Sequence, residues 1–346
     1  MSLYGRIRPL LFRLDPEDAH GLTLHLLALA GALPPARAFL RGMFRWTDPS
    51  LRTRAFGLDF QNPVGMAAGY DKDGRGMYGL ACLGFGHLEL GTVTPQAQPG
   101  NPRPRIFRLP EDKGLINRMG FPNAGAEPLL RRLQRGRPKD VVIGVNLGKG
   151  ADTPLEAAAE DYLSLLRSFY PDTDYLAVNV SSPNTLGLRR LQARQTLERL
   201  LGAVAAERAQ LQSTSGRRVP VLVKLAPDLS NAELEDAVGA IQGAGLEGVI
   251  ATNTTLDRTG LVSVHCDETG GLSGVPLRRR STEIIRAIAR ITGGRLAIVG
   301  AGGVFGAEDA REKLDAGASL IQVYTGLVYR GPGLVREILQ GLRASG

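Results

Sequence analysis

The chain has 346 residues, enough for one large α/β domain with an appendage or for two ordinary domains. Hydrophobic residues make up 43% and charged residues 22%, which excludes a disordered chain and allows a sizeable core. The net charge is +8, and half of it comes from residues 1–54, which hold eight arginines and four acidic residues. No Lys/Arg cluster interleaved with aromatic residues occurs elsewhere. An anionic membrane surface is therefore the expected partner, and no nucleic acid is expected.

The cysteine content is low. Cys82 and Cys266 cannot form a disulfide framework or a metal-ligand cluster, so the sequence predicts a reducing compartment and no metal. The N-terminal apolar run lacks a clear cleavage site for a secretory signal. No stretch reaches the roughly 20 uninterrupted apolar residues that a membrane-spanning helix needs.

The first 45 residues or so predict short helices. Asp15 is a candidate N-cap, and Pro16 follows it at the first helical position. Pro34-Pro35 ends this leucine-rich helix and can begin the next one. Two interpretations remain open for this segment. It is either a helical cap on the main core or an interfacial helical pair that lies on a membrane without crossing it.

From residue 58 onward, short apolar runs alternate with helical patterns such as 154–170 and 231–245. Strands that alternate with helices predict a parallel sheet. About eight units over about 290 residues favour an α/β fold of the (β/α)8 TIM-barrel type, with an open doubly wound sheet as the alternative. The predicted strands are 62–69, 87–94, 141–148, 175–182, 219–227, 248–255, 296–303 and 320–326.

Polar residues stand at the carboxyl ends of these strands, where barrel enzymes place their active sites. Lys224 is the most informative of them, because it directly follows the apolar run VPVLV and buried lysines are rare unless paired. Asn, Gly and Ser are common in any loop, which is the simpler explanation for each position taken alone. The strand-end residues are Lys72, Thr92, Asn146, Asn179, Ser182, Lys224, Thr252, Asn253, Gly302, Gly303, Tyr324 and Thr325.

Glycine-rich stretches follow the last two predicted strands. In a β/α barrel, a phosphate is often held at this place by backbone N–H groups, and glycine permits the close approach. The stretches GAGGVFG (300–306) and VYTGLVYRGPG (323–333) therefore indicate FMN or a phosphorylated substrate, or else two ordinary turns. GVNLGKG (144–150) fails as a P-loop because its spacing is short and Gly150 replaces the required Ser or Thr.

Several long motifs, in order along nearly the whole chain, closely resemble dihydroorotate dehydrogenases of the membrane-associated, quinone-dependent class 2. The resemblance includes the N-terminal helices. The motifs are NPVGMAAGYDKDG, GTVTPQAQPGNPRPRIFRL, GLINRMGF, NVSSPNTLGLR, VKLAPDLS, VIATNTTLDR, TGGLSGVPL and STEIIRAI.

The resemblance implies a barrel that holds one FMN at its mouth and oxidises (S)-dihydroorotate to orotate in pyrimidine (UMP) biosynthesis. It places the catalytic base at Ser182, where the soluble classes use a cysteine in another loop. The implied FMN contacts are Ala68, Gly69, Lys72, Thr92, Asn146, Asn179, Lys224, Thr252, Gly274, Gly303, Tyr324 and Thr325. The implied substrate contacts are Lys72, Asn117, Arg118, Met119, Gly120, Phe121, Asn179, Asn184, Asn253 and Thr254.

The same resemblance implies a membrane quinone as the final electron acceptor, with contacts at His20, Arg108 and Tyr324. Residues 1–45 would form the membrane and quinone-tunnel segment, and residues 46–346 the FMN-binding catalytic barrel. The expected location is the cytoplasmic face of the cell membrane, as a peripheral protein. The sequence leaves the oligomeric state open, and a monomer is compatible with it.

Two other functions remain as alternatives. The first is a related flavin barrel that dehydrogenates another pyrimidine with a nicotinamide, although no GxGxxG motif follows the first strand. The second is a non-enzymatic module on a barrel scaffold that binds a membrane surface or a phosphate ligand. This module would bind membranes but would carry no flavin.

Overall fold

The computed structural model describes residues 3–344. Residues 1–2 of the predicted N-terminal segment (1–45) and residues 345–346 of the predicted barrel (46–346) therefore lie outside the described residues. The helices are α1 Leu3–Leu11, α2 Pro16–Ala32, α3 Pro34–Phe44, α4 Met77–Ala81, α5 Ala126–Arg135, α6 Ala158–Phe169, α7 Arg194–Ser215, α8 Asn231–Gly243, α9 Arg278–Thr292, α10 Ala307–Asp315, α11 Thr325–Arg330 and α12 Leu334–Arg343. The strands are β1 Thr53–Ala55, β2 Leu58–Phe60, β3 Val64–Met66, β4 His87–Val93, β5 Ile106–Leu109, β6 Gly114–Asn117, β7 Val142–Leu147, β8 Tyr175–Asn179, β9 Val221–Leu225, β10 Gly248–Ala251, β11 Gly271–Gly274, β12 Ala297–Ala301 and β13 Leu320–Val323. Short 3-10 helices lie at Pro49–Leu51, Leu155–Ala157, Leu188–Gln192 and Val275–Leu277.

Eight of the strands in the described residues close into a parallel barrel in the order β3, β4, β7, β8, β9, β10, β12 and β13. Each of them falls inside one of the eight predicted ranges, so the TIM-barrel prediction is confirmed and the open sheet is excluded. The strands are buried on both faces because helices cover the outside and side chains fill the inside. Their buried Val, Leu and Ile residues explain why each strand reads as an apolar run in the sequence.

The amino ends of the barrel strands are closed by the hairpin of β1 and β2. Phe60 stacks edge-on against His87, the first residue of β4, with 5.6 Å between ring centroids. Phe56 packs at 5.6 Å from Tyr175, the first residue of β8. Because the hairpin covers the amino ends of the strands, the open mouth of the barrel is at their carboxyl ends.

The N-terminal helices begin and end as the sequence predicts. The Asp15 side chain accepts hydrogen bonds from the backbone N–H groups of Glu17 and Asp18, and Pro16 starts α2. α3 starts at Pro34, and the two helices are bent by 113° around the break between them. Within residues 3–344, no single helix is both long and apolar enough to cross a membrane, although α2 and α3 together meet the criteria of length and composition.

Two parts of the fold are not in the sequence-based prediction, namely the hairpin of β1 and β2 and a second small sheet. β5, β6 and β11 form a small antiparallel sheet outside the barrel, in the order β11, β6, β5. The motif GLINRMGF, which lies between two predicted strands, therefore begins with β6, and its partner β11 comes from more than 150 residues later in the chain. Strands of four residues carry too little periodicity to be recognised before their partner is known. The sheet stands beside the mouth of the barrel and carries Asn117 and Gly274 into it.

Candidate active site

A cavity of about 420 Å³ lies at the carboxyl ends of the barrel strands and extends outward between α1 and α2. Its volume is within the range of small-molecule sites, roughly 300–1,000 Å³. Three regions can be distinguished by their walls. One is lined by Asn, Ser and Lys side chains, one by glycine backbone, and one by the apolar side chains of the N-terminal helices.

The polar region is organised by a chain of side-chain hydrogen bonds. Asn253 donates from Nδ2 to the Ser181 hydroxyl at 2.9 Å, which donates to Asn179 Oδ1 at 3.0 Å. Across the cavity, Asn184 Nδ2 donates to Asn117 Oδ1 at 3.1 Å. The amides come from loops after β8 and β10 and from β6, so tertiary structure brings them together. Amides present both donors and acceptors, which suits a ligand with carbonyl and N–H edges.

Lys72 lines the cavity together with these amide side chains and is a candidate to bind a ligand anion. Its ammonium group donates to the Gly69 carbonyl at 2.8 Å and lies 3.7 Å from the sulfur of Met119. Burial lowers its pKa to about 8, although the nearby carboxylates of Asp73 and Glu17 oppose that shift. The Lys72 side chain is therefore mainly charged at neutral pH. Because it is buried, its attraction for a ligand carboxylate would be stronger than at an exposed site.

Ser182 lies in the loop that follows β8, with only 4% of the residue exposed. Its hydroxyl accepts a hydrogen bond from the backbone N–H of Asn184 at 3.2 Å, which fixes its position at the cavity wall. Thr185 follows in the same loop, and its buried hydroxyl has no hydrogen-bond partner among the described residues. Such a group is unusual among buried hydroxyls.

The glycine region is formed by the ends of β12 and β11. Gly302 and Gly303 adopt φ values of +121° and +74°, a conformation that side chains disfavour. A Cβ on Gly303 would lie 2.6 Å from the Cα of Arg278, so only glycine fits between the cavity and the start of α9. Gly274 (φ +101°) and Thr325 complete it, with the Thr325 and Ser273 hydroxyls 2.8 Å apart. A wall of backbone and hydroxyl groups is suited to a phosphate.

The third region is an apolar passage toward the N-terminal helices. His20 packs edge-on against Tyr70 with 4.8 Å between centroids, and Tyr70 packs against Tyr324 at 5.8 Å. Burial lowers the pKa of His20 to about 4, and the charge of Lys72 adds to this effect, so the imidazole is neutral near pH 7. Arg108 donates to the Leu14 carbonyl at 2.8 Å at the outer end of the passage.

The structure brings nearly all of the expected site residues to this one cavity. Two of them do not line it. Asn146 is fully buried behind the wall, where its Oδ1 accepts a hydrogen bond from Asn179 at 3.0 Å. Arg118 points away because successive strand residues face opposite sides, and it pairs with Glu268 at 2.5 Å.

Sequence reasoning missed several polar residues of this region, among them Tyr70, Ser273, Gln322 and Glu89. Tyr70, Ser273 and Gln322 line the cavity, and Glu89 lies directly beneath it. No sequence pattern marked Tyr70, Ser273 or Gln322 as site residues, because their place in the cavity depends on residues that are distant in the sequence. Glu89 did give a signal, because it is a charged residue inside the apolar run of β4, as Lys224 is in β9.

Comparison with known proteins agrees with this geometry. A family model described as dihydroorotate dehydrogenase matches residues 50–345. A protein of Azotobacter vinelandii named dihydroorotate dehydrogenase (quinone) is 50% identical over 343 residues, covering 99% of this chain and 97% of its own.

The chain belongs to the dihydroorotate dehydrogenase family. Within that family it falls in the quinone-dependent class 2, as the relatives at about this identity do. A protein of the same name from a Roseiflexus species is 51% identical over 341 residues, covering 99% of this chain and 93% of its own.

Solved structures of this family have the same fold. DHODH from Eimeria tenella in complex with ferulenol superposes with a TM-score of 0.87 at 38% identity, covering 95% of this chain and 90% of the other. The ligand-free form from the same organism gives the same TM-score and identity and covers 96% of both chains.

Proposed function

We propose that this dihydroorotate dehydrogenase oxidises (S)-dihydroorotate to orotate, with FMN as the hydride acceptor and a membrane quinone as the final electron acceptor. The reaction would serve pyrimidine (UMP) biosynthesis. The observation that carries the proposal is that one continuous cavity joins an amide-rich pocket, a glycine-walled region and an apolar passage. A ping-pong enzyme that transfers electrons from a polar substrate to a lipid-soluble one needs these three regions in contact.

The residues present fit FMN. Gly303, Ser273 and Thr325 all line the cavity, where a glycine backbone lets a phosphate approach closely and the two hydroxyls would supply hydrogen bonds. Ala68, Gly69, Thr92, Asn179, Lys224, Thr252 and Tyr324 would hold the rest of the cofactor. When bound, FMN supplies the electronic step by accepting the hydride and passing its electrons to the quinone. Asn146 would act from behind the wall, through Thr92 and Asn179.

The chain's own side chains would bind and deprotonate the substrate. Lys72 would pair with the carboxylate, and Asn117, Asn184 and Asn253 would bind the amide edges of the ring. The remaining substrate contacts proposed are Asn179, Met119, Gly120, Phe121, Thr254 and the backbone of Arg118.

Ser182 would take the proton from C5 of the substrate while the hydride leaves from C6. A hydroxyl is a weak base, so it must pass its own proton on as it accepts the new one. Thr185, whose buried hydroxyl is without a partner among the described residues, is placed to help through an ordered water.

The N-terminal segment, residues 1–45, would form the quinone passage and the membrane contact, and residues 46–346 the catalytic barrel. His20, Arg108 and Tyr324 would contact the quinone, since all three line the passage. The protein would then lie on the cytoplasmic face of the cell membrane as a peripheral protein, held by apolar and electrostatic contacts.

Anaerobic stopped-flow mixing tests the whole proposal. Dihydroorotate should bleach the flavin absorbance of the purified holoenzyme, and a quinone added afterwards should restore it. NADH in place of dihydroorotate should leave the spectrum unchanged. A colourless protein that cannot be reconstituted with FMN would refute the cofactor assignment, and bleaching by NADH alone would favour the nicotinamide alternative.

Replacing the proposed base tests its role separately. Ser182→Ala should slow single-turnover flavin reduction by about 10²–10⁴-fold, the usual contribution of a positioned acid or base. The FMN content should stay at the wild-type level, which serves as the control for folding. Unchanged flavin reduction in Ser182→Ala would contradict the assignment of Ser182.

A further inference from the structure

Glu89 is a buried carboxylate beneath the cavity, and the proposed reaction gives it no role. It lies inside the barrel on β4, with its side chain fully shielded from solvent. It accepts hydrogen bonds from Asn146 Nδ2 at 2.8 Å, from the Tyr175 hydroxyl at 3.0 Å and from Gln322 Nε2 at 2.8 Å. A carboxylate buried so deeply needs such donors, because an unpaired buried charge is strongly destabilising.

The one cation next to Glu89 is Lys224 on β9, within the described part of the chain. Their charged groups are 3.7 Å apart, and only 7% of the Lys224 side chain is exposed. At that distance the two groups form an ion pair without a direct hydrogen bond. Lys224 also lines the cavity, so the residue that pairs with the Glu89 carboxylate borders the space in which a ligand would bind.

We propose that Glu89 is a positioning residue that sets, through Lys224, the reduction potential of the flavin. This inference rests on the proposed function, in which FMN occupies this cavity. A flavin gains negative charge when it is reduced, and a nearby cation stabilises that charge in a site of low dielectric constant. The Glu89 carboxylate offsets part of the Lys224 charge and so keeps the flavin less strongly oxidising.

The same carboxylate orients neutral groups of the site. Because Asn146 donates from Nδ2 to Glu89, its Oδ1 is directed toward the cavity side. There it accepts hydrogen bonds from the Thr92 hydroxyl at 2.5 Å and from Asn179 Nδ2 at 3.0 Å. The Asn179 Oδ1 then accepts a hydrogen bond from the Ser181 hydroxyl. That hydroxyl in turn accepts one from Asn253 Nδ2 and so orients the Asn253 amide. Through this chain of hydrogen bonds, Glu89 determines which atoms of Asn146 and Asn179 face the cavity side as donors and acceptors.

Glu89→Gln removes the charge while keeping the shape. The substitution can be accommodated because the buried Gln322 Oε1 has no hydrogen-bond partner among the described residues. A rotation of the Gln322 amide would bring this oxygen to the new Nε2 group. Tyr175→Phe is the matched control, since it removes one neutral hydrogen bond to the same carboxylate without changing any charge.

The experiment is a spectroelectrochemical titration of each holoenzyme. We expect the midpoint potential to be more positive in Glu89→Gln than in wild type. Glu89→Asp should shift it in the same direction by less, because its charge remains but lies farther from Lys224. Tyr175→Phe should stay closest to wild type. A Glu89→Gln potential equal to or below the wild-type value would overturn the proposal.

Two further outcomes are decisive. If Glu89→Gln does not retain FMN, the midpoint potential of Glu89→Asp decides the question. A Glu89→Asp potential equal to or below the wild-type value overturns the proposal. If neither variant retains FMN, Glu89 serves folding and not the potential, which also overturns it. A wild-type protein that binds no FMN would instead refute the proposed function, so the two failures are distinguishable.

Discussion

The buried ionisable side chains at the cavity differ in how their charge is maintained. Lys224 has a carboxylate 3.7 Å away. Lys72 lacks so close a counter-charge among the described residues, and burial lowers its pKa to about 8. His20 is held neutral because burial lowers its pKa to about 4. An ion-paired lysine, a lysine with a lowered pKa and a neutral imidazole therefore lie along one cavity, each suited to a different ligand.

The pKa of Lys72 predicts a pH dependence for orotate binding. The cation is present below pH 8 and is lost as the pH rises through 8, so the affinity for the orotate carboxylate should fall. Calorimetric titration of the holoenzyme should give a dissociation constant about tenfold weaker at pH 9 than at pH 7. Lys72→Arg, which stays charged, should give a flat profile over this range. A wild-type profile as flat as that of Lys72→Arg would contradict the prediction.

At the scale of elements, α2 is joined to the barrel by a close backbone contact. Gly31 of α2 and Gly79 of α4 lie at the crossing, and a Cβ on Gly79 would come within 2.2 Å of the Leu27 carbonyl oxygen. Near the start of α2, Glu17 forms a bidentate ion pair with the buried Arg105, at 2.9 and 2.7 Å. These two contacts hold the helix that carries His20 over the cavity.

Gly79→Val should disturb the quinone passage more than the substrate site. The valine cannot fit against Leu27, so α2 must move, and overpacking of this kind costs about 1–3 kcal/mol of stability. We expect steady-state quinone reduction to fall more than single-turnover flavin reduction by dihydroorotate. Gly21→Val is the matched control, because a Cβ on Gly21 meets nothing within 4 Å. Equal losses in steady-state quinone reduction and in single-turnover flavin reduction would contradict a separate role for α2.

For the molecule as a whole, most of the exposed large apolar side chains belong to the N-terminal helices and the residues that join them. This set, the helical face, consists of Ile7, Leu10, Leu14, Leu22, Leu26, Leu29, Leu33, Phe39 and Met43. Arginines on α1 and α3 accompany it, which suits an anionic lipid surface. The passage to the cavity opens between α1 and α2, so a quinone could reach it from the lipid.

Phe39→Glu should weaken binding to vesicles that contain phosphatidylglycerol. Phe39 is 64% exposed on the helical face, and burying such a side chain in lipid is worth roughly 1.5–3 kcal/mol, or about tenfold or more in binding. Val264→Glu is the control, because Val264 is also exposed but lies in the long loop between β10 and β11. Co-sedimentation with vesicles measures both variants. Equal binding by the two would contradict the assignment of the helical face.

The sequence by itself determined the barrel and the side of it that bears the site. The apolar runs of the eight strands, the Asp15 cap and the break at Pro34 are local signals, and each is found where it was predicted. Polar residues at strand ends predicted one mouth because parallel strands all end on the same side. The resemblance to class 2 dihydroorotate dehydrogenases was likewise readable from contiguous motifs, and the comparisons confirm it.

Only the tertiary structure decided which of these residues face the cavity and which support it. Arg118 turns outward although its neighbour Asn117 lines the wall, and Asn146 lies behind Asn179. The pairing of Glu89 with Lys224 joins residues on β4 and β9, which are not adjacent in the barrel. Such contacts depend on strand order, register and the direction of each side chain. These are set by how the whole chain packs, because no short stretch of sequence contains both partners.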